Sequence, residues 1–251
     1  MTVSKLEHNG NQLAYVHYPA RTEVDLPAVM FLGGFKSDME GTKALYLEAQ
    51  CRNRGQEFVR FDYSGHGQSD GAFVDGTIGS WSSDAKAILD TVVQSESVIL
   101  VGSSMGGWIA LLLALSCTEK LAGVVGIAAA PDFTRDIKSQ MGQAEREMVD
   151  QIGRLEIPND YSDEPYIFTR ALLEDGEQCS LLDQVFDITL PIILVQGRDD
   201  PDVHWSKAEQ IVQAFPHAKT EILFIEDGDH RLSREQDLEL IGDSVLRLSS
   251  E

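Results

Sequence analysis

Three regularities in the sequence predict an α/β fold: a mostly parallel central sheet with helices on both faces. Short apolar runs rich in β-branched residues alternate with longer stretches of helical period. The runs are continuous rather than alternating, as strands covered on both sides are. Glycines or prolines punctuate their ends.

The elements follow in order. "QLAYVHYP" (12–19) alternates and is expected to pair at an antiparallel edge, and "LPAVMFLGG" (26–34) is a buried strand ending in glycines. "TKALYLEAQCRNRG" (42–55) is a helix stopped by Gly55, and "EFVRFDYSG" (57–65) the next strand. "SWSSDAKAILDTVVQ" (80–94) is helical, with Ala85, Ile88, Leu89, Val92 and Val93 on its apolar side. "SVILVGSS", "GGWIALLLALS" and "LAGVVGIAAAP" continue as strand, helix and strand. "PIILVQG", "HWSKAEQIVQAF", "TEILFIEDGDH" and "EQDLELIGDSVLRL" close the chain as strand, helix, strand, helix. Between them, from about Asp132 to Leu190, the rhythm breaks into charged, amphipathic pieces ("REMVDQIGRLEIPNDYSDEP"). A structureless loop of that length is unusual in a compact domain, so a small helical cap inserted above the sheet is expected. Residues 1–251 then form one domain with a cap insertion at about 132–190.

Composition bounds the function. The 251 residues are 43% hydrophobic, enough for a sizeable core, and 20 basic against 41 acidic residues give a net charge of −21. That field repels phosphate backbones and anionic membrane surfaces, so nucleic acid is not an expected partner. No apolar stretch approaches the roughly 20 residues of a spanning helix, and "MTVSKLEHNGNQLAYVHY" has no apolar run after a basic start, so it does not read as a signal peptide. Cys51, Cys117 and Cys179 show no CxxC spacing and read as free, packed thiols of a reducing, cytoplasmic setting.

The chemistry centres on "VILVGSSMGGWIAL" (98–111). Where a central strand turns sharply into a helix, the corner residue is strained, and residues two before and two after it come too close for a Cβ. Gly102 and Gly106 occupy those places only if Ser104 is the corner, since Ser103 would put Val101 and Met105 there. This G-x-S-x-G nucleophile elbow lifts the serine hydroxyl clear of the sheet at a helix N-terminus, whose free N–H groups favour a developing anion. A serine nucleophile needs a base, and the base an orienting acid, in the chain order Ser, Asp/Glu, His. "GRDDPDV" offers Asp199, Asp200 and Asp202 after a strand. Its G-x-x-D-x-x-V spacing from Gly197 selects Asp200, with Asp199 the second choice. Of six histidines only His230 sits at the end of the last strand. The oxyanion hole is expected from the backbone N–H groups of Phe35, after Gly33 and Gly34, and of Met105. "FDYSGHGQSDG" reads as a tight turn walling the pocket, with His66 structural. "GGFKSDMEGTK" lacks the Gly-Lys-Ser/Thr of a phosphate loop, and no residue cluster points to a metal. No cofactor is required.

"FLGGFKSDMEGTKA", "RFDYSGHGQSDG", "LVGSSMGGW" and "GDHRL" resemble the mitochondrial abhydrolase-domain palmitoyl-protein thioesterase family, within the α/β-hydrolase superfamily. The resemblance implies the α/β-hydrolase fold along the whole chain and cleavage of acyl esters or thioesters, with acyl glucuronides among the family's substrates. By matched motif, Ser104 would be nucleophile, Asp200 acid and His230 base. His204 stands where a proline is usual. Without the targeting extension of the mitochondrial relatives, a bacterial cytoplasmic member is expected. Ile152, Leu155, Tyr166 and Phe168 are expected to shape an acyl pocket. C–C bond hydrolysis or perhydrolysis by the same residues is an alternative, as is a non-catalytic ligand-binding role. The expected partner is a small-molecule or acylated-protein substrate, without stable membrane insertion, and the sequence is silent on oligomeric state.

Overall fold

The computed structural model describes residues 2–158 and 165–250. Its largest element is an eight-stranded sheet. The strands are β1 (Ser4–His8), β2 (Asn11–Tyr18), β3 (Ala28–Leu32), β4 (Phe58–Phe61), β5 (Val98–Ser103) and β6 (Leu121–Ile127), then β9 (Pro191–Gly197) and β10 (Lys219–Ile225). Their order is β1-β2-β4-β3-β5-β6-β9-β10, antiparallel in the β1–β2 and β2–β4 pairs and parallel from β4 onward. The alternating stretch seen in the sequence is β2, but the edge is β1. The tight Asn9–Gly10 turn, at φ 50° and 82°, folds β1 back onto β2.

β3, β4 and β5 are buried at every residue, so both faces must be covered. Helices α1 (Thr42–Arg54) and α8 (Glu235–Leu248) cover one face, with Leu47, Cys51, Ile241 and Val245 packing onto Val29, Ile99 and Val125. Helices α2 (Ile78–Thr91), α3 (Met105–Ser116) and α7 (Ser206–Ala214) cover the other, over Met30, Leu100 and Val124. α3 is apolar nearly all round because it sits deep in this layer, with Trp108 and Ile109 fully buried. Truncating a side chain such as Trp108 to alanine costs about 3–5 kcal/mol.

Between β6 and β9 the chain forms α4 (Phe133–Gln140), α5 (Gln143–Ile152), the antiparallel pair β7 (Arg154–Ile157) and β8 (Tyr166–Thr169), and α6 (Arg170–Gln178). The expected helical segment therefore also contains a small two-stranded ladder. Residues 159–164 of the quoted charged stretch lie outside the described residues. Buried Asp132 ties the two ends of this segment together by accepting from Ser180 Oγ and from the Leu181 and Leu182 amides.

The start of β5 is fixed by a buried carboxylate. Glu57 accepts from the Gln94 and Ser95 amides and from Ser95 Oγ, and meets His17 Nε2 at 2.8 Å. Burial pushes this carboxyl up, but those hydrogen bonds outweigh it and hold it at about 2. A depressed folded-state value stabilises the fold above the unfolded value near 4.5 and loses that contribution as pH falls through about 2. The stability gap between the wild type and Glu57→Gln, read by urea unfolding, is expected to be full at pH 5 and to narrow from there towards pH 2. A gap that stays constant over that interval would refute this account.

Candidate active site

The site is built at the carboxyl ends of β3, β5, β9 and β10. β5 passes into α3 through Ser104, whose φ of 54° and ψ of −117° lie in a region that non-glycine residues rarely occupy. The Ser104 backbone is held on every side. Its N–H donates to the Ile127 carbonyl, and its carbonyl accepts from the Gly107 and Ala130 amides. The glycines around it are required by contact. A Cβ on Gly102 would stand 2.2 Å from the Gly106 carbonyl oxygen, and one on Gly106 would stand 2.1 Å from that of Leu32. Ser103 is the last residue of β5, and Ser104 is the corner.

The loops after β9 and β10 bring the other two side chains in. They are locked together at Gly197, whose Cβ would meet the Gly228 carbonyl at 2.2 Å, and by the Asp199 amide donating to that same carbonyl. His230 Nδ1 lies 2.9 Å from Asp200 Oδ2, and His230 Nε2 lies 3.2 Å from Ser104 Oγ. Facing a carboxylate, Nδ1 carries the hydrogen, which leaves the Nε2 lone pair towards the serine hydroxyl. Asp200 is buried and fully engaged. Oδ1 accepts from the Asp202 and Val203 amides, and Oδ2 accepts from His230 and from Gln196 Nε2. Gln196 escaped the sequence reading, although a polar side chain at the end of the apolar run "PIILVQG" was its signal.

Of the three neighbouring aspartates, Asp199 is exposed and Asp202 lines the cavity mouth. Asp200, Asp202 and His230 offer atoms within 4.8 Å of one another, a cluster of metal-ligand types the sequence did not reveal. With two hydrogen bonds already on each Asp200 oxygen, that carboxylate has no free acceptor for a cation. Burial pushes the Cys51 thiol up to about 12 and the Cys179 thiol up to about 11, so neither of these two is a ready nucleophile at neutral pH.

The loop after β3 crosses over the elbow. A Cβ on Gly34 would lie 3.4 Å from the Ser103 carbonyl oxygen and 3.5 Å from Ser104 Cβ. Among the described residues, the Phe35 and Met105 amides have no protein acceptor. The Phe35 ring is packed on five sides. It stacks on Phe168 at 5.2 Å and 6°, and lies against Phe73, Trp81, Phe133 and Tyr166 at 4.8–6.0 Å.

Above Ser104 opens a cavity of about 1000 Å³, whose lining includes the apolar Phe35, Phe133, Ile137, Tyr166 and Phe168 and the charged Lys36, Asp136, Lys207 and Arg231. Tyr166 and Phe168 thus line it as expected. Ile152 does not, being 66% exposed, and Leu155 is buried in the core instead. His204 lies outside the lining. It is exposed, and its Nδ1 meets the Ser206 amide and hydroxyl at the start of α7.

Residues 27–161 match the family model described as serine aminopeptidase, S33. The chain is 32% identical over 230 residues to the mitochondrial palmitoyl-protein thioesterase ABHD10 of Mus musculus, covering 91% of this chain and 76% of that protein. Among solved structures, the mouse alpha/beta hydrolase domain-containing protein 10 superposes with a TM-score of 0.90 at 30% identity, covering 99% and 98% of the two chains. A protein from Agrobacterium vitis S4 superposes with a TM-score of 0.92 at 40% identity, with the same coverages.

The glycine contacts make a paired forecast. Gly106→Ala sets a methyl against main chain that cannot move aside, and is expected to cost more than about 3 kcal/mol or prevent folding. Gly34→Ala makes only ordinary contacts and is expected to cost less than about 1 kcal/mol. Thermal melts of the two variants check the contrast.

Proposed function

The chain belongs to the α/β-hydrolase superfamily, in the family of the mitochondrial palmitoyl-protein thioesterase ABHD10, and from that premise we propose that this hydrolase cleaves carboxylic esters or thioesters through an acyl-enzyme on Ser104. The observation that carries the reading is the hydrogen-bonded row Ser104 Oγ, His230 Nε2, His230 Nδ1, Asp200 Oδ2 beneath a cavity walled in part by Phe35, Phe133, Tyr166 and Phe168.

Ser104 Oγ attacks the acyl carbonyl carbon while its proton passes to His230 Nε2. Asp200 holds the ring in the Nδ1–H form and stabilises the imidazolium. Negative charge on the former carbonyl oxygen is met by the Phe35 and Met105 amides and the N-terminus of α3, a contribution of about 2.7–4 kcal/mol per donor. The C–O or C–S bond then breaks, and His230 returns the proton to the leaving alcohol or thiol. Water enters, gives a proton to His230 and attacks the acyl carbon, which frees the acid and restores the Ser104 hydroxyl.

The segment between β6 and β9 acts in this reading as a cap on the β-sheet domain, its α4 and the β7–β8 ladder supplying the acyl side of the cavity. The thioesterase relative of Mus musculus is mitochondrial. For this chain we propose a reducing, cytoplasmic setting on its three free cysteines. No helix of its described residues is long and apolar enough to cross a membrane.

Ser104→Ala is expected to abolish hydrolysis of p-nitrophenyl esters and acyl-CoA and to lose covalent labelling by a fluorophosphonate probe. Asp200→Asn is expected to keep the fold and lose about 10³–10⁴ in kcat. Cleavage of a diketone in preference to every ester and thioester would instead favour C–C hydrolysis. Chain-length profiles test the cavity. Phe133→Ala and Tyr166→Ala should shift the preferred acyl chain, whereas Ile152→Ala should leave it unchanged.

A further inference from the structure

We propose that His66 is a positioning residue for the oxyanion loop: its neutral imidazole accepts the Lys36 amide and so fixes the peptide that leaves the Phe35 N–H free to face Ser104. The inference rests on the esterase reading above.

The backbone donors after Gly34 each need a partner. The Ser37 amide donates to the Gly34 carbonyl, and the Lys36 amide donates to His66 Nε2 at 3.3 Å. Of the three amides from 35 to 37, only that of Phe35 has no acceptor among the described residues. Lys36 has a φ of 57°, an unfavourable conformation for a residue with a side chain, so the turn needs an external restraint. The ring of Phe35 is restrained by its aromatic neighbours, and the next peptide by His66.

The geometry also dictates which nitrogen carries the proton. His66 is 4% exposed, and its Nδ1 lies 3.2 Å from the Ser64 carbonyl, which also accepts from Trp81 Nε1 at 3.0 Å. Nδ1 must therefore be the donor and Nε2 the acceptor. Protonation would set an N–H against the Lys36 N–H. Burial opposes it, pushing His66 down to about 4 against the raising effect of the Ser64 hydrogen bond. The Ser64 peptide is itself anchored, since its N–H and its hydroxyl both donate to Asp84 Oδ2. A rigid turn presents the ring. A Cβ on Gly65 would stand 2.7 Å from the Phe73 backbone, and one on Gly67 would stand 2.2 Å from the Asp62 carboxylate. A continuous polar path thus runs from Asp84 on α2 through Ser64 and His66 to the loop above Ser104.

The test compares His66→Leu, His66→Gln and the Ser104→Ala control on p-nitrophenyl acetate. His66→Leu removes the acceptor and is expected to lower kcat by about 10–100-fold, the order of loss for a displaced oxyanion donor, with KM changed less than about twofold. His66→Gln, whose amide oxygen can accept the Lys36 N–H, should recover most of the loss. Wild-type kcat in folded His66→Leu, or no recovery in His66→Gln, would overturn the inference. Should His66→Leu not fold, imidazole ¹⁵N spectra of the wild type decide. A Nδ1–H tautomer that does not titrate between pH 5 and 8 is required, and an Nε2–H tautomer or a titration in that range overturns the inference. An active Ser104→Ala would sink the esterase reading itself, whereas an inactive Ser104→Ala beside an unimpaired His66→Leu would sink only the inference about His66.

Discussion

Everything at the site depends on how closely main chain meets main chain where β5 turns into α3. Gly106 lies against the Leu32 carbonyl and Gly102 against Gly106, with no room for one methyl group. This approach lets the helix start directly beneath the strand end and holds Ser104 in a conformation that an isolated chain would leave. The energy needed to keep it there comes from the surrounding layers: the buried strands β3 to β5, the apolar α3 and the hydrogen bonds that bind the Ser104 peptide to β6. The nucleophile's place is thus a product of packing in the whole domain.

The partners of Ser104 are placed by the same device at a second point. Gly197 against Gly228 joins the loops after β9 and β10, so that Asp200 and His230 are held by one packed unit. Within that unit Asp200 is saturated by donors, two from its own turn and one from Gln196, which fixes the carboxylate before it meets the imidazole. Preorganisation of this sort removes reorganisation from the reaction step.

Much of this was legible in the sequence, and the reasons differ by residue. That Ser104, Asp200 and His230 would meet in space could be read because each is marked by position: glycines at ±2, a glycine-counted spacing, the end of the last strand. Buried parallel strands announce themselves by unbroken apolar runs, so the sheet was readable too. The β7–β8 ladder was not, because two four-residue strands in a charged stretch carry no measurable period. The outward direction of Ile152 depends on the last turn of α5 and has no mark in composition. The bond from the Lys36 amide to His66 was hidden for a different reason. Main-chain donors have the same chemistry at every residue, so their partners become visible only in three dimensions.

One ring does two jobs. Phe168 stacks flat on Phe35 and also forms part of the cavity wall. A lineage that widened its diet by trimming this wall would loosen the loop beneath it and slow its own turnover, so new substrates would first be handled by a sluggish enzyme. Recovery would call for compensating changes at Phe73, Trp81, Phe133 or Tyr166, the other rings touching Phe35. Appetite and speed are therefore expected to evolve in linked steps in this fold.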